Sequence, residues 1–127
     1  RIEVNMDRQL EQLKEFHTKV NSVWHDTPAV LGEDTRDFRV QLMKEELNEV
    51  EEAVKEGNIA HIAKELADLL YTVFGTIGAY GLADKIPAVF DEVHRSNMSK
   101  DVKGDSDTKA IKGGEFKEAD VTSILNN

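Results

Sequence analysis

The 127-residue sequence contains no cysteine, only two prolines and eight glycines. Without cysteine the chain forms neither disulfides nor thiolate metal sites, a pattern typical of cytoplasmic proteins. With so few prolines and glycines, long helices are able to run without interruption. No apolar run approaches the roughly 20 residues that span a bilayer. We therefore expect a cytoplasmic protein with no membrane partner.

Positive charge is also scarce, since 16 Lys and Arg residues stand against 25 Asp and Glu residues, giving a formal net charge of −9. Nonspecific binding of nucleic acid requires a basic surface, so we expect no nucleic-acid partner. A small phosphorylated ligand remains compatible with this charge, because divalent cations are able to stand between its phosphates and protein carboxylates. The length and the apolar content fit one globular domain.

Apolar residues recur at helical spacing along most of the chain, and no strand-like alternation precedes the C-terminal segment. The pattern predicts an all-α bundle of four to five helices in a domain of residues 1–100, followed by a partly irregular tail of residues 101–127. Four helices are predicted, from about Val4 to Trp24, from a cap at Asp34 or Thr35 to Gly57, from a cap at Asn58 to Tyr80, and from Pro87 to Met98.

The second predicted helix has an apolar stripe and an acidic stripe beside it. The apolar stripe, expected to face the core, consists of Met43, Leu47, Val50 and Val54. The neighbouring stripe contains Leu42, Glu46, Glu49 and Ala53. Glu46 and Glu49 therefore border the predicted core, whereas Glu51 lies on the solvent side.

The third predicted helix is apolar over most of its circumference yet carries Glu65 and Asp68 on one face. Carboxylates are costly to bury unless they are paired or bind a metal. An antiparallel hairpin of the second and third helices would bring four or five acids together. These acids either form ion pairs with lysines of neighbouring turns or hold a cation; the lysines are Lys44, Lys55 and Lys64.

A cation site made of carboxylates alone favours Mg²⁺, or Mn²⁺ as a substitute, over Zn²⁺. A di-iron bundle is excluded, because that site requires Glu-x-x-His on two helices and no glutamate in the sequence has a histidine three residues later.

Three motifs carry a resemblance to a known superfamily. "EELNE" (45–49) has the form E-E-x-x-E, "ELAD" (65–68) has the form E-x-x-D, and "VFDEVHRSNMSK" (89–100) follows them. Together they resemble the all-α nucleoside triphosphate pyrophosphohydrolases, the MazG-like superfamily, over roughly residues 10–100. Relatives of this kind include dimeric dUTPases and phosphoribosyl-ATP pyrophosphohydrolase.

The resemblance implies hydrolysis of a nucleoside triphosphate between its α and β phosphates, yielding a monophosphate and pyrophosphate. It also implies a Mg²⁺ site made of Glu45, Glu46, Glu49, Glu65 and Asp68. Either Glu45 or Glu46 would orient or deprotonate the attacking water, and we favour Glu46 as this catalytic residue. The phosphate contacts implied by the last motif are Arg95, Asn97 and Lys100.

A nucleobase site is the least constrained part of the sequence interpretation. His17, Asn21 and Trp24 recur one or two turns apart on the first predicted helix, and an aromatic ring beside an amide suits a nucleobase. Core packing of Trp24 fits the same spacing equally well.

The favoured function is removal of dUTP or another non-standard or surplus nucleotide from the nucleotide pool. The alternatives are a phosphoribosyl-ATP pyrophosphohydrolase of histidine biosynthesis and a non-catalytic nucleotide-binding or interaction module. Four helices leave much of the apolar surface of the third helix near solvent, so we expect a homodimer or a dimer of dimers.

Overall fold

The structure is a computed structural model that describes residues 6–102 and 109–127. Five helices occur in these ranges, namely α1 (Asp7–Val20), α2 (Glu33–Glu56), α3 (Ile59–Ala79), α4 (Ile86–Met98) and α5 (Val121–Leu125). The described ranges contain no strand and only one isolated bridge, between Asp101 and Ile111. The predicted all-α fold class is confirmed. No helix within the described ranges is both long and apolar enough to cross a membrane.

The chain divides into two compact units, Arg1–Asp84 with α1 to α3 and Lys85–Asn127 with α4 and α5. In the first unit α3 packs against both α1 and α2, so it is the central helix of that unit. The predicted division at residue 100 stays a prediction.

Helix α1 ends at Val20, four residues before the predicted end at Trp24. Asn21 has a φ of 59° and adopts the left-handed conformation, which stops the helix. Asparagine tolerates this conformation better than other residues with a side chain, and apolar periodicity does not register it. Asn21 and Trp24 therefore lie beyond α1 rather than on it.

The turn between α2 and α3 follows the sequence prediction. Gly57 caps α2 with a φ of 75°, and the Asn58 side chain caps α3 by accepting a hydrogen bond from the His61 N–H at 3.1 Å. The start of α2 differs, because the capping residue is Gly32 in an extended conformation rather than Asp34 or Thr35. A turn of two residues makes α2 and α3 antiparallel neighbours.

The face of α2 that meets α3 is the acidic stripe, and the predicted core stripe is wrong for two of its members. Ala53 is fully buried and Arg39 is 5% exposed, whereas Leu47 and Val54 are each 56% exposed. The small side chain at Ala53 lets the two helices approach closely near their turn. Leu66 and Leu70 of α3 are also exposed in the single chain, so the predicted oligomer stays a prediction with an apolar face available to it.

Gly78 near the end of α3 allows the residues that follow α1 to pack closely against that helix. A Cβ atom at Gly78 would overlap the six-membered ring of Trp24, so the ring packs against bare backbone there. Nearby, the α1–α2 connection is fixed to the end of α3 by the His25 N–H, which donates to the Gly78 carbonyl at 3.0 Å. Trp24 is thus a packing residue of the first unit.

In the second unit the C-terminal segment is held on α4 by polar contacts. The Ser96 hydroxyl donates to the Lys117 carbonyl at 2.8 Å, and Ser96 is buried. Helix α5 begins after Asp120, whose carboxylate accepts from the Ser123 N–H at 3.1 Å. The predicted partly irregular tail therefore contains one short helix.

The close approach at Gly78 predicts that Gly78→Ala destabilises the protein despite the higher helix propensity of alanine. Displacing Trp24 should cost about 1–3 kcal/mol, the range for overpacking a filled site. Thermal unfolding followed by circular dichroism measures the loss. Gly114→Ala is the matched control, because a Cβ at Gly114 would meet nothing within 4 Å. Equal melting temperatures for both variants would contradict the packing role of Gly78.

Candidate active site

The structure brings all five predicted acids to the wall of one open pocket of about 490 Å³. Helix α2 supplies Glu45, Glu46 and Glu49, and α3 supplies Glu65 and Asp68. Residues three apart share one face of a helix, which is why each motif points its acids the same way. The antiparallel hairpin then sets the two faces against each other.

Three of the acids form the centre of the pocket. Glu46, Glu65 and Asp68 each offer a carboxylate oxygen, and these oxygens lie within 4.8 Å of one another. Glu65 is 4% exposed, whereas Glu46 and Asp68 are half-buried. Glu45 and Glu49 are exposed at the rim. The central three are therefore close enough to share one cation.

Crowding of like charges acts on Glu46. Burial raises the pKa of the Glu46 carboxyl above its usual value, and the negative charges of Asp68 and Glu65 raise it further. The positive charge of Lys64 opposes the shift but does not cancel it. The site thus favours either a proton on Glu46 or an additional cation.

An ammonium group already provides part of that positive charge. Lys64 Nζ lies 3.1 Å from a Glu65 oxygen and 2.6 Å from an Asp68 oxygen, and these two acids raise the pKa of Lys64. This result confirms the ion-pair interpretation for Lys64, whereas Lys55 pairs with Glu52 instead. The Lys64 side chain is 69% exposed, so it is free to swing away when another cation binds. Carboxylate oxygens at this spacing fit a hard divalent cation.

His61 is a pocket residue that the sequence analysis missed. It lines the acidic pocket one turn before Glu65, and its Nδ1 atom lies 2.9 Å from a Glu56 oxygen. The spacing of four residues between His61 and Glu65 was the available signal.

A second pocket, of about 320 Å³, is lined by residues of α1, α2 and α3. Its walls include Leu42 and Thr72, which lie one helical turn from Glu46 and Asp68 respectively. Most of the remaining wall is apolar or aromatic, and Phe16 meets Tyr71 edge to face with ring centroids 5.4 Å apart. We call this cavity the aromatic pocket; its other residues include Leu13, His17, Phe38 and Arg39.

Of the three predicted base-binding residues, only His17 lines the aromatic pocket. His17 is buried, its Nδ1 atom lies 2.9 Å from the Val23 carbonyl oxygen, and burial lowers the pKa of its imidazole. The ring is therefore neutral at physiological pH, with Nδ1 donating to that carbonyl. Trp24 packs behind His17, with ring centroids 5.3 Å apart, and the exposed Asn21 caps α1.

The three predicted phosphate-binding residues lie in the second unit. Arg95 donates to both carboxylate oxygens of Glu92, at 2.9 Å and 2.8 Å, and its Nη2 atom also donates to the Glu118 carbonyl at 2.9 Å. The hydrogen bond from Arg95 is the main reason that the pKa of Glu92 falls to about 2. Asn97 and Lys100 line a separate cavity of about 200 Å³.

Comparison with known protein families gave one match. A family model for phosphoribosyl-ATP pyrophosphohydrolase matches residues 13–97, a range that includes all five acids. No curated protein matches the chain. The matched family hydrolyses a nucleotide pyrophosphate bond and depends on a divalent metal. The chain belongs to the phosphoribosyl-ATP pyrophosphohydrolase family, a branch of the MazG-like all-α nucleoside triphosphate pyrophosphohydrolases.

Proposed function

We propose that the protein hydrolyses a nucleoside triphosphate, such as dUTP or another non-standard or surplus nucleotide, between its α and β phosphates. The products are a nucleoside monophosphate and pyrophosphate, and the cofactor is Mg²⁺, with Mn²⁺ as a substitute. One observation carries the proposal. Three carboxylates of α2 and α3 lie close together, and the Lys64 ammonium group pairs with two of them where a metal ion would be held.

The donor set supports a hard metal ion. Glu46, Glu65 and Asp68 would hold it directly, and Glu45 and Glu49 at the rim would complete the charge balance. When bound, Mg²⁺ neutralises the triphosphate and lowers the pKa of a coordinated water.

Glu46 is the proposed proton acceptor. Its carboxylate lies among the three central acids, so it would be close to a water held beside the metal ion, and a general base must lie within hydrogen-bond reach of the proton that it takes. Glu46 would take one proton from the attacking water while the water oxygen bonds to phosphorus and the bridging oxygen leaves with pyrophosphate. Glu45 is less suited to this role because it is exposed.

The base would occupy the aromatic pocket. One helical turn separates Leu42 from Glu46 and Thr72 from Asp68, about 6 Å along each helix, so the base and the phosphates would lie side by side. Aromatic walls suit the faces of a base, and a cavity of about 320 Å³ falls at the lower end of ordinary ligand pockets.

Of the three residues Arg95, Asn97 and Lys100, we propose Asn97 and Lys100 as the main phosphate contacts. Asn97 and Lys100 line a cavity, whereas the donors of Arg95 serve Glu92 and backbone carbonyls. The main role we propose for Arg95 is to hold the C-terminal segment on α4.

The proposed assembly is a homodimer or a dimer of dimers. The apolar face that remains exposed on α2 and α3 supports it, because side chains of this size rarely lie open in such numbers on a monomer. This face consists of Leu47, Val54, Leu66 and Leu70.

A second candidate substrate is phosphoribosyl-ATP, which is favoured by the family whose model matches. The chemistry is the same, so the acidic pocket serves both substrates equally. A non-catalytic nucleotide-binding module is the remaining alternative, and the assembly of the acids around one cation position argues against it.

The first prediction from the proposed function is a product pattern. With Mg²⁺, purified protein should convert nucleoside triphosphates to monophosphate and pyrophosphate, with dUTP among the better substrates, and chelation should abolish turnover. Chromatography of a nucleotide panel that includes phosphoribosyl-ATP measures the pattern. Release of orthophosphate with a diphosphate would refute the bond assignment. Turnover of phosphoribosyl-ATP alone would favour a phosphoribosyl-ATP pyrophosphohydrolase. Absence of any turnover would favour the non-catalytic nucleotide-binding module.

The second prediction concerns Glu46. Glu46→Gln keeps the size of the side chain but removes the base and a metal ligand, so kcat should fall about 10²- to 10⁴-fold. The matched control is Glu51→Gln on the exposed side of the same helix, which should leave kcat unchanged. Equal rates for the two variants would remove Glu46 from the mechanism.

The third prediction follows from the raised pKa of Glu46. Without metal, the stability that protonated Glu46 contributes is full below about pH 4.5, its ordinary pKa, and is lost as pH rises through the raised value. The melting temperature with Mg²⁺ should therefore exceed the one without Mg²⁺ by a larger margin as pH increases, because protons then compete less with the metal for the Glu46 carboxylate. Glu46→Gln should reduce this divergence, and an unchanged divergence would contradict the assignment.

A further inference from the structure

Arg39 is a buried cation without an anionic partner among the described residues. Its side chain donates from Nε to the Thr76 hydroxyl and from Nη2 to the Thr72 carbonyl, both at 3.1 Å. Neither acceptor is charged, and no carboxylate in residues 6–102 or 109–127 forms an ion pair with it. A buried charge in this state destabilises a fold unless something else meets it.

The surroundings of Arg39 add no negative charge. A Cβ atom at Gly75 would lie 2.5 Å from Arg39 Nη2 and 2.7 Å from His17 Nε2, so the guanidinium and the imidazole meet over bare backbone. His17 is neutral, and the positive charge of Arg39 contributes to lowering its pKa. The space left open beside Arg39 is the aromatic pocket, which it lines.

A neighbouring arginine on the same helix shows how this sequence places an ordinary surface cation. Arg36 is exposed and pairs with Asp37 at 2.9 Å and with Glu33 at 3.9 Å. Arg39 lies one turn later, is 5% exposed, lines a cavity and forms no ion pair with an acid of the described residues. Arg36 thus has counter-ions on its own helix, whereas Arg39 has none among the described residues, so a ligand in the cavity could provide the missing acceptor.

We propose that Arg39 anchors the nucleobase of the substrate by donating a hydrogen bond to a carbonyl oxygen of that base. This inference rests on the proposed function and makes Arg39 a specificity-determining residue. A guanidinium has five N–H donors and no acceptor, so it matches the carbonyl-rich edge of uracil or thymine. Adenine has no carbonyl oxygen and offers only ring nitrogens as acceptors, beside an amino group that repels the donors of a guanidinium.

The position of Arg39 along α2 agrees with this role. Arg39 precedes Glu46 by seven residues, which places it about 10 Å away along the helix axis. A base held at Arg39 would therefore leave its triphosphate within reach of the acids. In this arrangement the aromatic pocket would contact the base, and the five acids would lie beside the phosphates.

Arg39→Lys tests the proposal, because it keeps the charge but removes the planar fork of donors. We expect kcat/KM for dUTP to fall about 10- to 100-fold, mainly through KM, while kcat/KM for dATP changes little. The control is Arg36→Lys, which should alter neither value. If both substrates lose the same factor, Arg39 serves only to hold α2 against α3, and the proposal is overturned.

A second measurement needs no variant and no turnover. Trp24 is the only tryptophan and lies against His17 of the aromatic pocket, so its fluorescence reports binding there. Deoxyuridine monophosphate should bind more tightly than deoxyadenosine monophosphate. Replacing a base carbonyl oxygen by sulfur, a weaker acceptor, should weaken binding for at least one of the 2-thio and 4-thio analogues. Equal binding of all four ligands overturns the proposal.

The two measurements separate this inference from the proposed function. Turnover of triphosphates with a selectivity that Arg39→Lys does not change leaves the function standing and removes the inference. Absence of turnover, together with fluorescence that distinguishes the carbonyl bases in the wild-type protein but not in Arg39→Lys, removes the function and keeps Arg39 as the base anchor.

Discussion

Mutual repulsion among carboxylates that face each other across the α2–α3 hairpin is the constraint on which the site depends. A turn of two residues brings the helices together, and carboxylate oxygens of Glu46, Glu65 and Asp68 lie within 4.8 Å of one another. Burial and the negative charges of Asp68 and Glu65 raise the pKa of Glu46, and the positive charge of Lys64 opposes this shift. Apolar side chains at these positions would avoid the repulsion, so the acids are better explained by a site that could hold a metal ion than by the stability of the hairpin.

Close approach of α1 and its connection to α3 creates the second half of the site. At Gly75 and Gly78 the backbone of α3 is bare, and the buried ring of His17 and the ring of Trp24 pack into that space. Larger residues at these two positions would push the rings outward and fill the aromatic pocket. Glu65, Asp68 and Gly75 lie on the same side of α3, because seven residues make about two turns, and α3 lines both the acidic pocket and the aromatic pocket.

The acids were predictable from the sequence because their geometry is local. Spacings of three residues on two helices joined by a short turn determine where the carboxylates lie, whatever the rest of the fold does. The end of α1 was not predictable in this way, since it depends on the left-handed conformation of Asn21. Periodicity also fails to tell which of two adjacent stripes meets the neighbouring helix, so Leu47 and Val54 were misplaced. Burial of Arg39 had no sequence signal, because arginine usually lies at the surface.

Two cations of the first unit meet opposite physical conditions, and the difference divides their roles. Lys64 is 69% exposed and its flexible stem reaches Glu65 and Asp68 from solvent, so it is able to leave at little cost when a divalent cation arrives. Arg39 is buried, and its hydrogen bonds to Thr72 and Thr76 hold it at the edge of the aromatic pocket. An exposed counter-ion suits a position that must be exchanged, whereas a fixed buried charge suits recognition, because the entropy of ordering it has been lost on folding. The first unit therefore has an exposed cation among the acids and a buried cation beside the aromatic pocket.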